Sequence, residues 1–194
     1  MSIVFTISSA FGTDRSSVAT LVCKLFDDLD LAVQYTTRPP MEDREDTEFL
    51  FTSRELFEEM IAREEFLEYV TVLGNYYGTP TRCLQQAREN GKDILIQVDD
   101  VGMAQIKQKV ADAVSILILP GHSAQRKRII GSTTDPRLPS LVREVLLPSL
   151  QQGVPLPSHM PNTTDYNHVI VSDRVEDSTK RVIAIIRSER ARRS

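Results

Sequence analysis

Four short apolar runs, "SIVFTI", "DILIQV", "VSILIL" and "HVIVS", begin at Ser2, Asp93, Val114 and His168. Each places apolar side chains at successive positions rather than at alternate ones. A strand of that kind needs cover on both faces, as in a parallel sheet packed between helices. The segments between the runs supply the helices. Val18, Leu21, Val22, Leu25, Phe26 and Leu29 recur at helical spacing and predict a helix over residues 16–29. "TSRELFEEMIARE" predicts another, with Thr52 and Glu55 at capping-box positions and Phe57, Met60 and Ile61 apolar. Thr79-Pro80 opens a third and Gly91 closes it. A last helix from about Asp173 carries Val175, Val182, Ile183 and Ile186 inward. Strands alternating with helices in this order predict a doubly wound α/β fold.

The bulk properties narrow the function classes. A chain of 194 residues, 41% hydrophobic, suits one α/β domain with a substantial core. A net charge of -4 argues against a broad nucleic-acid surface, and the tail "RSERARRS" reads as an exposed Arg-rich helix end. Cys23 and Cys83 fit no metal-ligand spacing and no disulfide framework, which suits a reducing compartment. Asp14 and Arg15 interrupt the first apolar run too early for a signal peptide, and no run approaches a membrane span. The expected location is cytoplasmic, with neither membrane nor nucleic acid as partner. The segment 120–161 stands apart: it holds seven of the ten prolines, with room for one short helix over 140–147. His122, His159 and His168 show no partner pattern and read as structural or exposed.

The stretch "ISSAFGTDRSSVATL", residues 7–21, has the layout of a phosphate-binding loop: strand, small-residue turn, basic residue, Ser, helix. In such loops, glycines let backbone N–H groups close around phosphates, a Lys bridges the terminal ones and a Ser or Thr holds Mg²⁺. Most of those glycines, and the Lys, are absent here. Further along stand "YTTRPP", then "EFLFTSRELFEEMIAREEFLEYVTVLGNYYGTP", then "GKDILIQVDDVGMAQIKQKVADAVSILILP". This block closely resembles guanylate kinase, strongly over residues 3–120 and weakly over 165–186. "GNYYGTP" beside "EFLEY" and "TTRPP" is far more specific than the loop alone. The resemblance implies a P-loop NTPase-like parallel-sheet core over 1–33 and 80–194, a GMP-binding insertion over 34–79 and a lid over about 121–162. It also implies transfer of the γ-phosphoryl of Mg²⁺-bound ATP to GMP.

Carried over residue by residue, the resemblance puts Ser9 at the first loop glycine, Gly12 inside the loop and Asp14 at the last glycine. Arg15 falls at the lysine and Ser16 at the hydroxyl that holds Mg²⁺. Asp14 brings a carboxylate to the approach of the β- and γ-phosphates. On the GMP side, Arg38 and Tyr77 match phosphate ligands, and Glu68 and Thr79 match the groups that read guanine. Asp99 matches a family acid and, with Arg15 and Arg38, makes up the catalytic set. Met41 replaces a second phosphate-binding arginine, Phe49 a tyrosine, Gln34 a serine, and Gln97 the acid two residues before Asp99. The family's "DVQG" is "DDVG" here. Arg126, Arg128, Arg137 and Arg143 are available to a lid, in no assignable register, and Pro136 and Pro139 would disturb a helical one.

Plainer roles stand beside these. Asp99 and Asp100 suit a helix cap, Tyr76 and Tyr77 suit packing, and Arg38 alone would pass for a surface arginine. Three functions stay open. The first is a guanylate-kinase relative with weak or absent phosphoryl transfer that keeps a partial guanine-nucleotide (GMP or GDP) or anion site. The second is a working GMP kinase using Mg²⁺ and ATP. The third is a phosphopeptide-binding or other protein-interaction module on the same fold.

Overall fold

A five-stranded sheet in the order β2-β7-β1-β8-β9 runs through the centre of the molecule, with every neighbouring pair parallel. Its strands are β1 (Val4–Ser9), β2 (Leu29–Leu31), β7 (Asp93–Gln97), β8 (Val114–Leu119) and β9 (His168–Val171). The computed structural model describes residues 2–10, 13–40, 47–72, 74–121 and 162–193. Gly12, Met41, His122, His159, the segment expected to form a lid with its four arginines, and the helix expected over 140–147 lie outside them.

Successive apolar residues in the strands serve two separate cores, as the sequence pattern requires. Phe5, Ile7, Leu95, Ile116 and Ile118 face α1 (Arg15–Lys24) and the last helix, which contributes Val182 and Ile186. Val4, Ile94, Ile96 and Leu117 face the opposite way, toward α3 (Thr81–Glu89) and α4 (Asp100–Lys109). The last helix, α5 (Val175–Arg193), packs beside α1. The doubly wound α/β expectation is met.

Between β2 and α3 the chain builds a second sheet, in the order β4-β3-β6-β5. It comprises β3 (Gln34–Thr36), β4 (Phe49–Phe51), β5 (Phe66–Val72) and β6 (Asn75–Pro80), with α2 (Arg54–Ala62) packed through Phe57 and Met60. Phe57 stacks on Phe66 at 4.3 Å and on Tyr76 at 5.0 Å between ring centroids, so this small core is largely aromatic. Tyr76 is thus a packing residue.

Three helix ends differ from the periodicity. The helix expected over 16–29 stops at Lys24, with Leu25 as its C-cap. Phe26 instead packs under the guanidinium of Arg190, 4.9 Å from its ring centroid, and Leu29 opens β2. Both residues are drawn to the core by tertiary contacts, and their spacing only mimics a longer helix. The cap of α2 is Ser53, not Thr52; its hydroxyl accepts from Leu56 N–H at 3.2 Å. Pro80 is the N-cap of α3 rather than its first helical residue, because Thr79 is held in β6. At the other end the expectation holds. Gly91 adopts φ +67°, and Lys92 N–H reaches back to Ala87 O at 2.8 Å, closing a Schellman turn.

The Arg-rich end of α5 is partly a fastening rather than a solvated tail. Arg190 Nε donates to Asp93 Oδ2 at 2.7 Å, and Asp93 Oδ1 accepts from Ile3 N–H at 2.7 Å. One carboxylate therefore ties the final helix to the first residues of the chain. Replacing Arg190 with Ala should cost roughly 1.5–3 kcal/mol, the range for hydrogen bonds to charged groups. Arg193→Ala, which breaks a more exposed pair with Asp112, should cost under about 1 kcal/mol. Urea denaturation of the two variants checks this; equal costs would show that Asp93 is not an anchor.

Candidate functional site

The C-terminal ends of β1 and β7 open into a crevice, the place where open parallel sheets bind ligands. Two cavities meet there. One, of about 320 Å³, is lined by Ser9, Thr13, Asp14, Arg15, Ser16 and Gln97. The other, of about 230 Å³, is lined by Arg15, Gln34, Glu68, Tyr77, Gln97 and Asp99, with Phe49 and three valines completing its wall. Arg15 and Gln97 belong to both. A larger groove of about 600 Å³, lined in part by Phe66, Tyr69, Arg88 and Lys109, contains none of these residues.

In the first cavity Asp14 and Ser16 find partners within the protein. Asp14 is the N-cap of α1, and its Oδ1 accepts from Ser17 N–H at 3.0 Å. Free N–H groups at a helix start are the donors that hold phosphate oxygens in anion sites. An exposed carboxylate of this chain takes one of them. Ser16 Oγ donates to Glu48 Oε2 at 2.5 Å, and Gln97 Nε2 donates to the same oxygen at 2.8 Å. Glu48, just before β4, thereby links the second sheet to the start of α1 and the end of β7.

Arg15 reaches the backbone just past β7. Its Nη1 donates to Val98 O at 2.5 Å. Burial pushes its pKa below the ordinary arginine value, against the opposing pull of Asp99, Glu48 and Glu68. With three carboxylates around it, the guanidinium remains a cation at the join between the cavities.

The second cavity is organised by a buried acid. Glu68 pairs across the sheet with Thr79, and its Oε1 accepts from Thr79 N–H at 2.9 Å and Thr79 Oγ1 at 2.5 Å. Gln34 Nε2 lies 3.2 Å from the same oxygen, 3.1 Å from Thr79 Oγ1 and 3.0 Å from Gln97 O. Burial raises the pKa of Glu68 above the ordinary carboxylate value; the Thr79 hydrogen bonds pull the other way. Gly102 flanks this carboxylate. A Cβ there would stand 2.7 Å from Glu68 Oε2, so the final glycine of "DDVG" is a steric requirement of the acid.

Asp99 does cap a helix: it is the N-cap of α4, and its Oδ1 accepts from Gly102 N–H at 2.7 Å. It also lines the second cavity. The Arg38 guanidinium carbon lies 5.0 Å from the Phe49 ring centroid and 5.3 Å from that of Phe51. Tyr77 meets Phe49 edge to face at 5.9 Å.

The structure brings Ser9, Asp14, Arg15 and Ser16 together at one cavity, and Glu68, Tyr77 and Asp99 at the other. Thr79 lies beneath Glu68, and Arg38 stacks beside the cavity wall. Sequence reasoning missed Glu48 and the reason for Gly102. A signal for Glu48 existed: Gln97 adds an amide donor, and a buried donor needs an acceptor.

Mg²⁺ takes oxygen ligands and usually arrives with substrate phosphates rather than in an all-protein cage. Ser16 and Glu48 fit that description and would hold the ion. Among the described residues no group of three or more His, Cys, Asp or Glu forms a metal cluster by itself. No helix among them is long and apolar enough to cross a membrane.

Comparison with known proteins agrees with this architecture. The sequence pattern of the family described as guanylate kinase matches residues 2–189. The guanylate kinase of Koribacter versatilis is 32% identical over 192 residues, covering 98% of this chain and 80% of that protein. That of Neisseria gonorrhoeae is 32% identical over 193 residues, covering 98% and 90%. The crystal structure of guanylate kinase from Anaplasma phagocytophilum aligns with a TM-score of 0.69 at 23% identity, covering 97% of this chain and 86% of that one. The match therefore runs from the first strand into the last helix, and this chain belongs to the guanylate kinase family.

Proposed function

We propose that this protein binds a guanine nucleotide, or another small anion of that kind, in the cavity around Glu68, and transfers phosphoryl groups from ATP weakly or not at all. One observation carries the second half: the Asp14 carboxylate is seated on the N-terminus of α1, in competition with ATP phosphates. Phosphoryl transfer relies on positioning and charge stabilisation, and here one part of that apparatus is committed elsewhere. Arg15 is tied to Val98 O. Residues 34–79 form the acceptor-binding insertion in this reading. Glu68 and Thr79 read the base, and Arg38 and Tyr77 face the acceptor phosphate. Mg²⁺, when bound with ATP, supplies charge neutralisation between the phosphates.

The placement of Arg15 favours a second reading, a working GMP kinase. A cation shared by the donor and acceptor cavities is where charge builds up in phosphoryl transfer. A coupled assay of ADP formation from ATP and GMP separates the two readings. Turnover within the usual kinase range of about 1–100 s⁻¹ would overturn the first.

Restoring the loop with Ser9→Gly, Asp14→Gly and Arg15→Lys should tighten ATP binding by at least about tenfold, near 1.4 kcal/mol. Turnover should rise less than affinity, because parts that act as a unit are not repaired singly. Adding Met41→Arg and Phe49→Tyr should raise turnover further. Calorimetry and kcat at saturating substrate check both; family-like turnover from the loop repair alone would show an intact acceptor side.

The shifted Glu68 gives base binding a pH dependence. Guanine N–H donors need an ionised acceptor, and the folded pKa of this acid is raised by burial. Guanosine, which has no phosphate to titrate, should bind more tightly as pH rises through a midpoint above the ordinary glutamate value of about 4.3. Glu68→Gln should bind more weakly and show no such midpoint. The same raised pKa makes the ionised form of Glu68 a net cost to folding. Its contribution to stability is full below the unfolded-state pKa and falls as pH rises through the folded one.

A further inference from the structure

The acceptor cavity already contains a hydrogen-bond donor at the point where a base would present its own. We infer that the Gln34 side-chain amide stands in for the N–H groups of a guanine base, so that a base enters only by displacing it, making Gln34 the residue that sets affinity and selectivity there. This inference rests on the reading of that cavity as a nucleobase site.

The geometry is specific. Gln34 Nε2 carries two N–H groups yet sits 3.0–3.2 Å from three acceptors, Glu68 Oε1, Thr79 Oγ1 and Gln97 O. It occupies the focus of the pocket's acceptors. Glu68 Oε1 meanwhile receives Thr79 N–H, Thr79 Oγ1 and Gln34 Nε2, three donors on one oxygen. A base donor has no place on that oxygen while the amide stays.

Size points the same way. The cavity of about 230 Å³ falls below the roughly 300–1,000 Å³ usual for small-molecule sites. Gln34 is part of its lining, so withdrawing that side chain enlarges it. An intramolecular occupant lowers apparent affinity by the fraction of molecules in which the pocket is open. If the open fraction is about one in ten, the penalty is about tenfold.

Selectivity follows from what replaces the lost bonds. Displacing the amide takes a donor from Thr79 Oγ1 and Gln97 O and the third donor from Glu68 Oε1, and an unmet buried acceptor is costly. The Watson–Crick edge of guanine offers N–H groups at N1 and N2 side by side. Adenine offers one amino donor, at N6, beside an acceptor at N1 that would be set against the Glu68 carboxylate. Gln34 therefore sets a threshold that guanine, with two adjacent donor groups, repays better than adenine.

The test titrates the full-length wild type, Gln34→Ser and Gln34→Asn with GMP, guanosine and AMP by calorimetry, with circular dichroism melts to establish folding. Asn keeps an amide but is one methylene too short to reach the three acceptors. In parallel, the Gln34 side-chain NH₂ resonance, assigned by its loss in Gln34→Ser, is followed by ¹H–¹⁵N NMR. The inference expects this resonance to be protected from exchange in the free wild type and to lose that protection as GMP is added. It expects both variants to bind GMP and guanosine about tenfold more tightly, with AMP weaker than GMP throughout. GMP binding to the wild type that is unchanged or weakened in both variants would overturn the inference and leave the nucleotide reading standing. Failure of wild type and variants alike to bind any guanine compound would overturn both.

Discussion

A carboxylate held out of water is the constraint around which the candidate site is organised. Burying Glu68 is unfavourable unless its oxygens find donors, and each donor it finds fixes another element. Thr79 locks β6 against β5, Gln34 brings in β3, and Gly102 of α4 must lack a side chain to leave the acid room. Asp99, capping α4 from the end of β7, then stands at the same cavity. The acid is thus a joint between the second sheet and the core.

The departures that the resemblance implies have a common physical account on that scaffold. Positions that serve a ligand in the family resemblance are occupied here by side chains that satisfy one another. Asp14 accepts from the start of α1, Gln97 and Ser16 share Glu48, and Gln34 serves Glu68. Such substitutions support each other, because an amide in place of an acid at 97 gives Glu48 a donor instead of a second negative charge. A site altered piecemeal would leave buried groups unmet; these groups have partners.

Apart from β2, whose Leu29 falls at helical spacing, the central sheet was legible in the sequence because its runs place apolar residues at successive positions, a pattern few other structures require. The second sheet was not: β3 and β4 are three residues each, too short for any period to declare itself. Phe26 and Leu29 misled because apolar residues needed by a turn and a strand fell at helical intervals. Asp99 was foreseen as a helix cap, and it is one. The Gln97 amide called for an acceptor but did not name Glu48, because Ser16, Glu48 and Gln97 are distant in sequence and converge only after folding.

The junction of Ile3, Asp93 and Arg190 bears on how the chain leaves the ribosome. One face of the central sheet, carrying Phe5, Ile7, Leu95, Ile116 and Ile118, is covered by α1 together with Val182 and Ile186 of α5. At synthesis rates of about 5–20 residues per second, the strands emerge seconds before the helix that completes their cover. During that interval an apolar surface faces solvent, and holdase chaperones have a window set by translation speed. Slow codons between β8 and α5 would lengthen the exposure and fast ones shorten it, so the interval is a property of the message as much as of the protein.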